Sequence, residues 1–180
     1  RFLPVLLIAS ASLLHGAVAL PKISAPHSST TDTETVFSGG ARLTYENLLL
    51  LADEIHYNPK TQVAHAIGNV TLTRGTQRML ADEMTYNLTD KTYTVKNVRA
   101  GEPPYYISGS AVEGGPESVI IHDAILTFSD PNILTPTLTA GSLTYIPGDS
   151  VKTKNAQIGV GSFRPIPVPS YKQSVKDPIF

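Results

Sequence analysis

The stretch LADEIHYN at residues 51–58 returns as LADEMTYN at residues 80–87, with six of eight residues identical and an offset of 29. A looser copy, LTAGSLTY, occupies residues 138–145, and a more degenerate one lies at residues 106–112. Self-similarity at a spacing of about 30 residues is typical of architectures built by stacking one unit. The equivalent positions of the four copies are taken to be Ala52, Ala81, Ser108 and Ala140.

Each copy is followed by turn-forming residues and then by a second apolar stretch. After the first copy come Asn58-Pro59-Lys60-Thr61 and then residues 62–73, QVAHAIGNVTLT. After the last copy come Pro147-Gly148-Asp149 and then residues 151–158. Pro, Gly, Asn and Asp supply the fixed or positive φ values that tight turns need. One unit is therefore predicted to be strand, turn, strand.

Local propensity offers a different interpretation of the first copy. Residues 46–56, ENLLLLADEIH, are mostly good helix formers and in isolation predict a helix. The equivalent segment at 138–145 is built of Thr, Gly, Ser and Tyr, with Pro147 just beyond it, and it suits a strand but not a helix. Because equivalent units of a stack share a conformation, the repeat favours strands throughout, with a short helix at 46–56 as the alternative.

The repeat also predicts which side chains share a face. Successive side chains of a strand point to opposite faces, so counting in steps of two leaves Ala52, Glu54, Ala81 and Glu83 on a small or polar face that should meet solvent. Each repeat unit, or rung, has two strands, and each strand has one large apolar face. Such faces are buried only against each other, which predicts an all-β fold, a long and narrow β-sandwich or jelly roll. Its interior is either a filled core or an open slot. The predicted inward-facing residues are Leu51, Ile55, Tyr57, Leu80, Met84, Tyr86, Leu143 and Tyr145.

The N-terminal residues have the pattern of a signal peptide. Residues 2–14, FLPVLLIASASLL, form a short apolar run, and Ala17-Val18-Ala19 is a typical cleavage site. The run is shorter than the roughly 20 residues of a membrane-spanning helix. We therefore expect residues 1–19 to be a signal peptide, and because the first residue is Arg1 we expect its start to lie upstream of this sequence.

The rest of the chain divides by composition. Residues 20–35 are rich in Ser, Thr and Pro and are predicted to be a flexible linker. Residues 36–160 contain the repeats and are predicted to be the folded domain. Residues 161–180 are predicted to be a Pro-rich connector or tail.

Composition and motifs argue against several functions. With 14 basic and 15 acidic side chains the chain lacks the positive charge that drives nucleic-acid binding, and without cysteine it has no disulfide or thiol chemistry. Neighbouring acids such as Asp53 and Glu54 point to opposite faces of a strand, so they do not form a glycosidase pair. The sequence therefore predicts no enzyme activity, no cofactor and no metal site; the histidines of the domain, which lack metal-site spacing, are His56, His65 and His122.

A family resemblance rests on the repeated LADE-hydrophobic-x-Tyr-Asn motif, on the closing segments Gly68-Asn69-Val70 and Lys96-Asn97-Val98, and on the signal peptide. Over roughly residues 41–158 the chain resembles the OstA-like periplasmic domain of lipopolysaccharide (LPS) transport. That domain occurs in the free-standing bridge proteins LptA and LptC and at the N-terminus of the outer-membrane assembly protein LptD. Residues 161–171, GSFRPIPVPSY, are similar to the connector that leads into the LptD barrel.

The resemblance implies an open β-jelly roll, or β-taco, of stacked strand-turn-strand rungs that shields the acyl chains of lipid A in an apolar slot between the two membranes. The eight inward-facing residues would then bind lipid. It also implies a location in the periplasm or at the outer membrane, and as partners LPS, a periplasmic Lpt bridge component, an outer-membrane barrel and a lipoprotein. The alternatives are a secreted β-solenoid, structural or adhesive, with a filled core, and a sugar-binding jelly roll.

The ends of the stack are predicted to differ. Residues 44–51 carry one charge, Glu46, and no proline, so they are expected to form an undefended edge that pairs with a strand of the bridge component. Pro165, Pro167 and Pro169 do not donate ladder hydrogen bonds and are expected to end the stack or to bend the chain toward its next module.

Overall fold

The computed structural model describes residues 20–75, 77–102, 105–127, 136–146, 149–160 and 162–174. The signal peptide expected at residues 1–19 and residues 175–180 of the expected tail lie outside these ranges. The described residues form twelve β-strands: β1 (Lys22–Ser24), β2 (His27–Thr30), β3 (Thr35–Tyr45), β4 (Leu48–Asn58), β5 (Val63–Arg74), β6 (Gln77–Asn87), β7 (Thr92–Glu102), β8 (Tyr105–Gly114), β9 (Val119–Thr127), β10 (Pro136–Ile146), β11 (Ser150–Val160) and β12 (Phe163–Ser174).

All twelve strands belong to one antiparallel sheet. From β3 to β12 each strand pairs with the next one in the sequence, and β1 and β2 both pair with β3. The prediction of an all-β fold is confirmed. Residues 46–56 form no helix, because β4 begins at Leu48 and ends at Asn58.

The N-terminal edge differs from the prediction. The segment expected to be a flexible linker contains β1, where Lys22 lies opposite Thr44, and β2, where His27 lies opposite Ser38. Its Ser- and Thr-rich residues bury little, but their backbone satisfies the hydrogen-bonding groups of β3. Residues 44–51 are consequently not an exposed edge: Leu48 and Leu50 lie in β4, between β3 and β5.

The C-terminal segment also differs from the prediction, because Phe163–Ser174 of the expected connector or tail form the last strand of the described sheet. The strand β12 pairs with β11 from Val160 opposite Phe163 to Ser150 opposite Ser174. The expectation that these prolines end the stack therefore applies to the outer side of β12, which is the last strand of the described sheet. Prolines on alternate residues of an edge strand leave the other side of its backbone able to pair.

The strands change face at their centres. In β4 the buried residues are Leu48, Leu50 and Ala52, and the next is Ile55, a step of three that reverses the alternation. The register shifts there by one residue against both neighbours, as in a β-bulge, and a bulge bends a strand. Positive φ angles mark the same level on β3, β5, β7, β9 and β11, at Gly39, Gly40, Gly68, Asn69, Asn97, Asp123 and Asn155.

These bends fold the sheet in half. Arg74 lies opposite Gln77 at one end of β5, and Tyr86 lies opposite Ala64, ten residues away along the strand. Ten extended residues span about 33 Å, yet Arg74 Nη2 donates a hydrogen bond to Tyr86 Oη at 2.7 Å. The two ends of the strands therefore meet, and the molecule is an open β-jelly roll shaped like a taco, as predicted.

Three parts of this shape are used below. The crease is the line of bends across strands β3–β11. The first wall is the half of the sheet that ends in the β3–β4 and β5–β6 turns, and the second wall is the half that ends in the β4–β5 and β6–β7 turns. The mouth is the line along which the free rims of the walls face each other.

Candidate functional site

The inner face of each wall carries an unbroken row of apolar residues. On the second wall every residue of the row is apolar from β3 to β10, and β11 adds a buried threonine. Strand register fixes its members as Phe37, Ile55, Ala66, Met84, Val95, Val112, Ile121, Leu143 and Thr153. The row of the first wall is apolar in all ten strands from β3 to β12 and consists of Leu43, Leu50, Leu72, Met79, Ala100, Ile107, Leu126, Leu138, Ile158 and Ile166.

Alanine, valine and one glycine line the inside of the crease. Walls that converge leave no room for large side chains, and overpacking is destabilising. Ala52 and Ala81, which the sequence placed on the solvent face, are here buried with 6% and 5% exposure. The whole set is Ala41, Ala52, Val70, Ala81, Val98, Gly109, Ala124, Ala140, Ala156 and Val168. In the most degenerate copy the residue equivalent to Ala52 is thus Gly109 and not Ser108, which pairs with Arg99 and Ile125 on the outer face.

A ladder of hydrogen bonds follows the outside of the crease. Asn69 Nδ2 donates to Asp53 Oδ2 at 2.8 Å, and Asn97 Nδ2 donates to Asp82 Oδ2 at 2.8 Å. Further along, Ser110 Oγ donates to a carboxylate oxygen of Asp123 at 2.6 Å. The repeated Asp of LADE and the Asn of the closing segments therefore join neighbouring strands where the sheet bends.

Six of the eight predicted inward-facing residues lie on the inner face. Ile55, Met84 and Leu143 lie in the row of the second wall. Tyr57, Tyr86 and Tyr145 lie in the next row toward the mouth.

The other two predicted residues, Leu51 and Leu80, lie on the outer face of the first wall and are 36% and 38% exposed. A count in steps of two from Ile55 or Met84 crosses the bulge, where the alternation reverses. It therefore predicts the wrong face for Leu51 and Leu80. Leu50 and Met79 point inward in their place. The signal for the reversal was present in Gly68-Asn69, since a glycine inside a strand pattern indicates a bulge.

The slot is sealed at one end and open at the other. In the row of the first wall, Leu50 in β4 is fully buried, whereas Ile158 in β11 and Ile166 in β12 are 41% and 56% exposed. In the tyrosine row, Tyr86 is 2% exposed and Tyr145 is 37% exposed. The two walls thus close on each other around β3–β6. Toward β10–β12 the row of the first wall and the tyrosine row become exposed, while Leu143 and Thr153 in the row of the second wall stay buried.

Polar contacts bridge the mouth of the sealed half; we call them the latch. Besides the bond from Arg74 to Tyr86, Lys91 Nζ and Glu46 Oε2 form an ion pair at 3.0 Å between turns at opposite ends of the strands. The hydrogen bond that Lys91 donates to the Glu46 carboxylate raises the pKa of Lys91. Tyr93 stacks on Tyr86 with ring centroids 6.1 Å apart, and burial raises the pKa of Tyr93.

The outer face of the second wall carries ion pairs in place of apolar rows. His65 Nε2 lies 2.8 Å from Glu83 Oε1, and Lys96 Nζ lies 2.7 Å from Glu83 Oε2. The Lys96 bond, followed by that from His65, lowers the pKa of Glu83. His56 is bonded to Glu54 and Glu34, and the Glu54 bond is the main cause of its raised pKa. Within the described ranges, no three His, Asp or Glu residues are grouped so as to hold a metal ion.

The described residues include no helix that could span a membrane. A known protein family matches most of the strands described above. No curated protein matches the chain. The family described as "LptA/(LptD N-terminal domain) LPS transport protein" matches residues 26–127, which is more than half of the chain and runs from just before β2 to the end of β9. The chain therefore belongs to the LptA/LptD N-terminal domain family of LPS transport proteins.

Proposed function

We propose that this domain shields the acyl chains of LPS by holding them between its two walls. The family has a role in LPS transport, and such transport has to cross an aqueous compartment. Each methylene exposed to water costs about 0.8 kcal/mol, so an acyl chain of about a dozen carbons exposes on the order of 10 kcal/mol. Two apolar rows that cross most of the sheet offset this cost without any chemical step.

The observation that carries the proposal is the exposure of the inner face at β10–β12. Ile158 and Ile166 belong to the same row as the buried Leu50, and Tyr145 to the same row as the buried Tyr86, yet these three are exposed. Large apolar side chains exposed together are typical of a binding surface. We assign this open half as the place where acyl chains lie, with the sugar headgroups in water at the mouth.

The sealed half requires the domain to have two states, one with the walls closed and one with the walls parted. Around β3–β6 the inner residues pack against each other and leave no room for an acyl chain. Lipid passes through this half only when the latch opens and the walls part. The same dry packing is what favours the alternative function, a β-solenoid with a filled core that binds no lipid.

Neighbouring residues of β11 distinguish the two functions. A photo-crosslinking side chain at Ile158 faces the slot, and one at Gln157 faces solvent on the same strand. We expect the probe at Ile158 to capture LPS in cells and the probe at Gln157 to capture none. Equal capture at both positions, or none at either, would favour the filled-core alternative.

The remaining features of the proposal concern location and partners. Export by the signal peptide expected at residues 1–19 would deliver the domain to the periplasm, with Leu20 as the first residue of the mature protein, which intact mass would reveal. Its partners there would be a periplasmic Lpt bridge component and, at the outer membrane, a barrel and a lipoprotein.

A further inference from the structure

The strand β12 carries three prolines on alternate residues, Pro165, Pro167 and Pro169, and all three are exposed. Backbone groups of successive residues in an antiparallel strand point to opposite sides within the plane of the sheet. Residues two apart point to the same side. The three proline nitrogens therefore face one side of β12.

That side is the free one. The register with β11 is continuous from Ile158 opposite Ile166 through Ala156 opposite Val168 to Ser150 opposite Ser174. Prolines facing β11 would remove three successive ladder donors from this pairing. Among the described strands, none pairs with the other side of β12, and an edge position with the nitrogen toward solvent is where a sheet accommodates proline.

This edge is also where the sheet is most prone to associate. The strand β12 is 12 residues long, and the apolar inner residues Ile158 and Ile166 are exposed beside it. A long edge strand next to exposed apolar groups is a template for pairing with another chain unless something blunts it. Prolines are one of the features that blunt such edges in natural sheets.

The opposite edge is not blocked in the same way. Thr31 donates its N–H to the carbonyl of Glu34 at 2.9 Å, which sets the direction of the amides in β2. By alternation the amides of Ser29 and His27 face β3, and those of Ser28 and Thr30 face outward. The N-terminal edge therefore keeps free donors.

We propose that Pro165, Pro167 and Pro169 bar strand addition at the β12 edge and so prevent copies of this chain from joining edge to edge. The barred stretch covers the first wall and the crease. Tyr171 and Gln173 are the residues beyond it whose amides point to the free side, which is too short a stretch to hold a second copy.

Restoring the backbone N–H donors of β12 tests the proposal. In the triple variant Pro165→Thr, Pro167→Thr, Pro169→Thr, sedimentation velocity should show species larger than the wild-type monomer that grow with protein concentration. If β12 of one copy of the triple variant pairs with the N-terminal edge of the next copy, adding Ser28→Pro, which blocks an outward amide of β2, should reverse this growth. The control Pro116→Thr, an exposed proline of the β8–β9 turn, should sediment like wild type.

A triple variant that keeps its β-sheet circular dichroism spectrum and stays monomeric at every concentration would overturn the proposal, as would wild-type protein that already assembles through β12. The single variant Pro167→Thr covers the case in which the triple variant does not fold. Its new amide at position 167 should exchange with solvent rapidly in the dilute monomer while the amide of Val168 stays protected. Protection at position 167 would mean that this nitrogen faces β11 and would also overturn the proposal.

Discussion

At the scale of single residues, the repeated motif describes how the sheet is creased. The Ala of LADE fits where the walls converge, and the Asp accepts a hydrogen bond from an Asn on the next strand. The preceding Leu is exposed on the outer face. The Ala and Asp that the two copies share therefore lie where the sheet bends, and of the six identical residues the Tyr, at positions 57 and 86, faces the slot.

Adjacent residues of the second repeat test this interpretation. Ala81→Leu should lower the free energy of unfolding by about 1–3 kcal/mol, because a larger side chain overpacks the crease. Leu80→Ala should lower it by less than about 1 kcal/mol, because Leu80 is 38% exposed. Urea denaturation measures both. If Leu80→Ala is the more damaging change, the step-of-two face assignment is right and the crease is misplaced.

Titration of one histidine gives a second test at this scale. The pKa of His56 is raised above its ordinary value of 6.5, mainly by Glu54 and further by Glu34, while its burial acts in the opposite direction. A raised folded-state pKa stabilises the fold below pH 6.5, and this contribution is lost as pH rises through the folded pKa. His56→Gln should therefore flatten the stability profile between pH 6 and pH 8, and Glu54→Gln should flatten it in the same direction. An unchanged slope in both variants would show that this pair is not coupled to folding.

At the scale of elements, the repeat predicts the strands well because turn residues and strand formers recur with it. Its predictions fail where a bulge reverses the alternation, which moved Leu51 and Leu80 to the wrong face. They fail again at both edges, where β1, β2 and β12 pair through backbone groups that leave little hydrophobic pattern in the sequence. Contacts between opposite ends of the strands, such as Arg74 with Tyr86, follow from the folded shape and have no local signal.

The latch is an interaction between elements, and Tyr86→Phe tests it. Removing the hydroxyl takes the acceptor from a partly buried Arg74, so we expect a loss of about 1–3 kcal/mol in the free energy of unfolding. Tyr145→Phe is the matched control, because Tyr145 lies in the same row at the open end and is 37% exposed. Its loss should be near zero. Equal losses in the two variants would mean that the bond across the mouth does not hold the walls together.

At the scale of the whole molecule, one continuous sheet has two halves that bury their inner apolar side chains to different extents. Local opening requires less free energy where few apolar groups are buried. We therefore expect amides of β10 and β11 to exchange with solvent at least about tenfold faster than those of β4 and β5, in native-state hydrogen exchange resolved by peptide. Added LPS should slow exchange in β10 and β11 first, because a ligand that binds the folded state opposes its opening. Tyr86→Phe, which removes the Arg74 hydrogen bond of the latch, should bring the rates in β4 and β5 closer to those in β10 and β11. Uniform protection along the sheet, or slowing of exchange by LPS first in β4 and β5, would contradict the division into a sealed half and an open half.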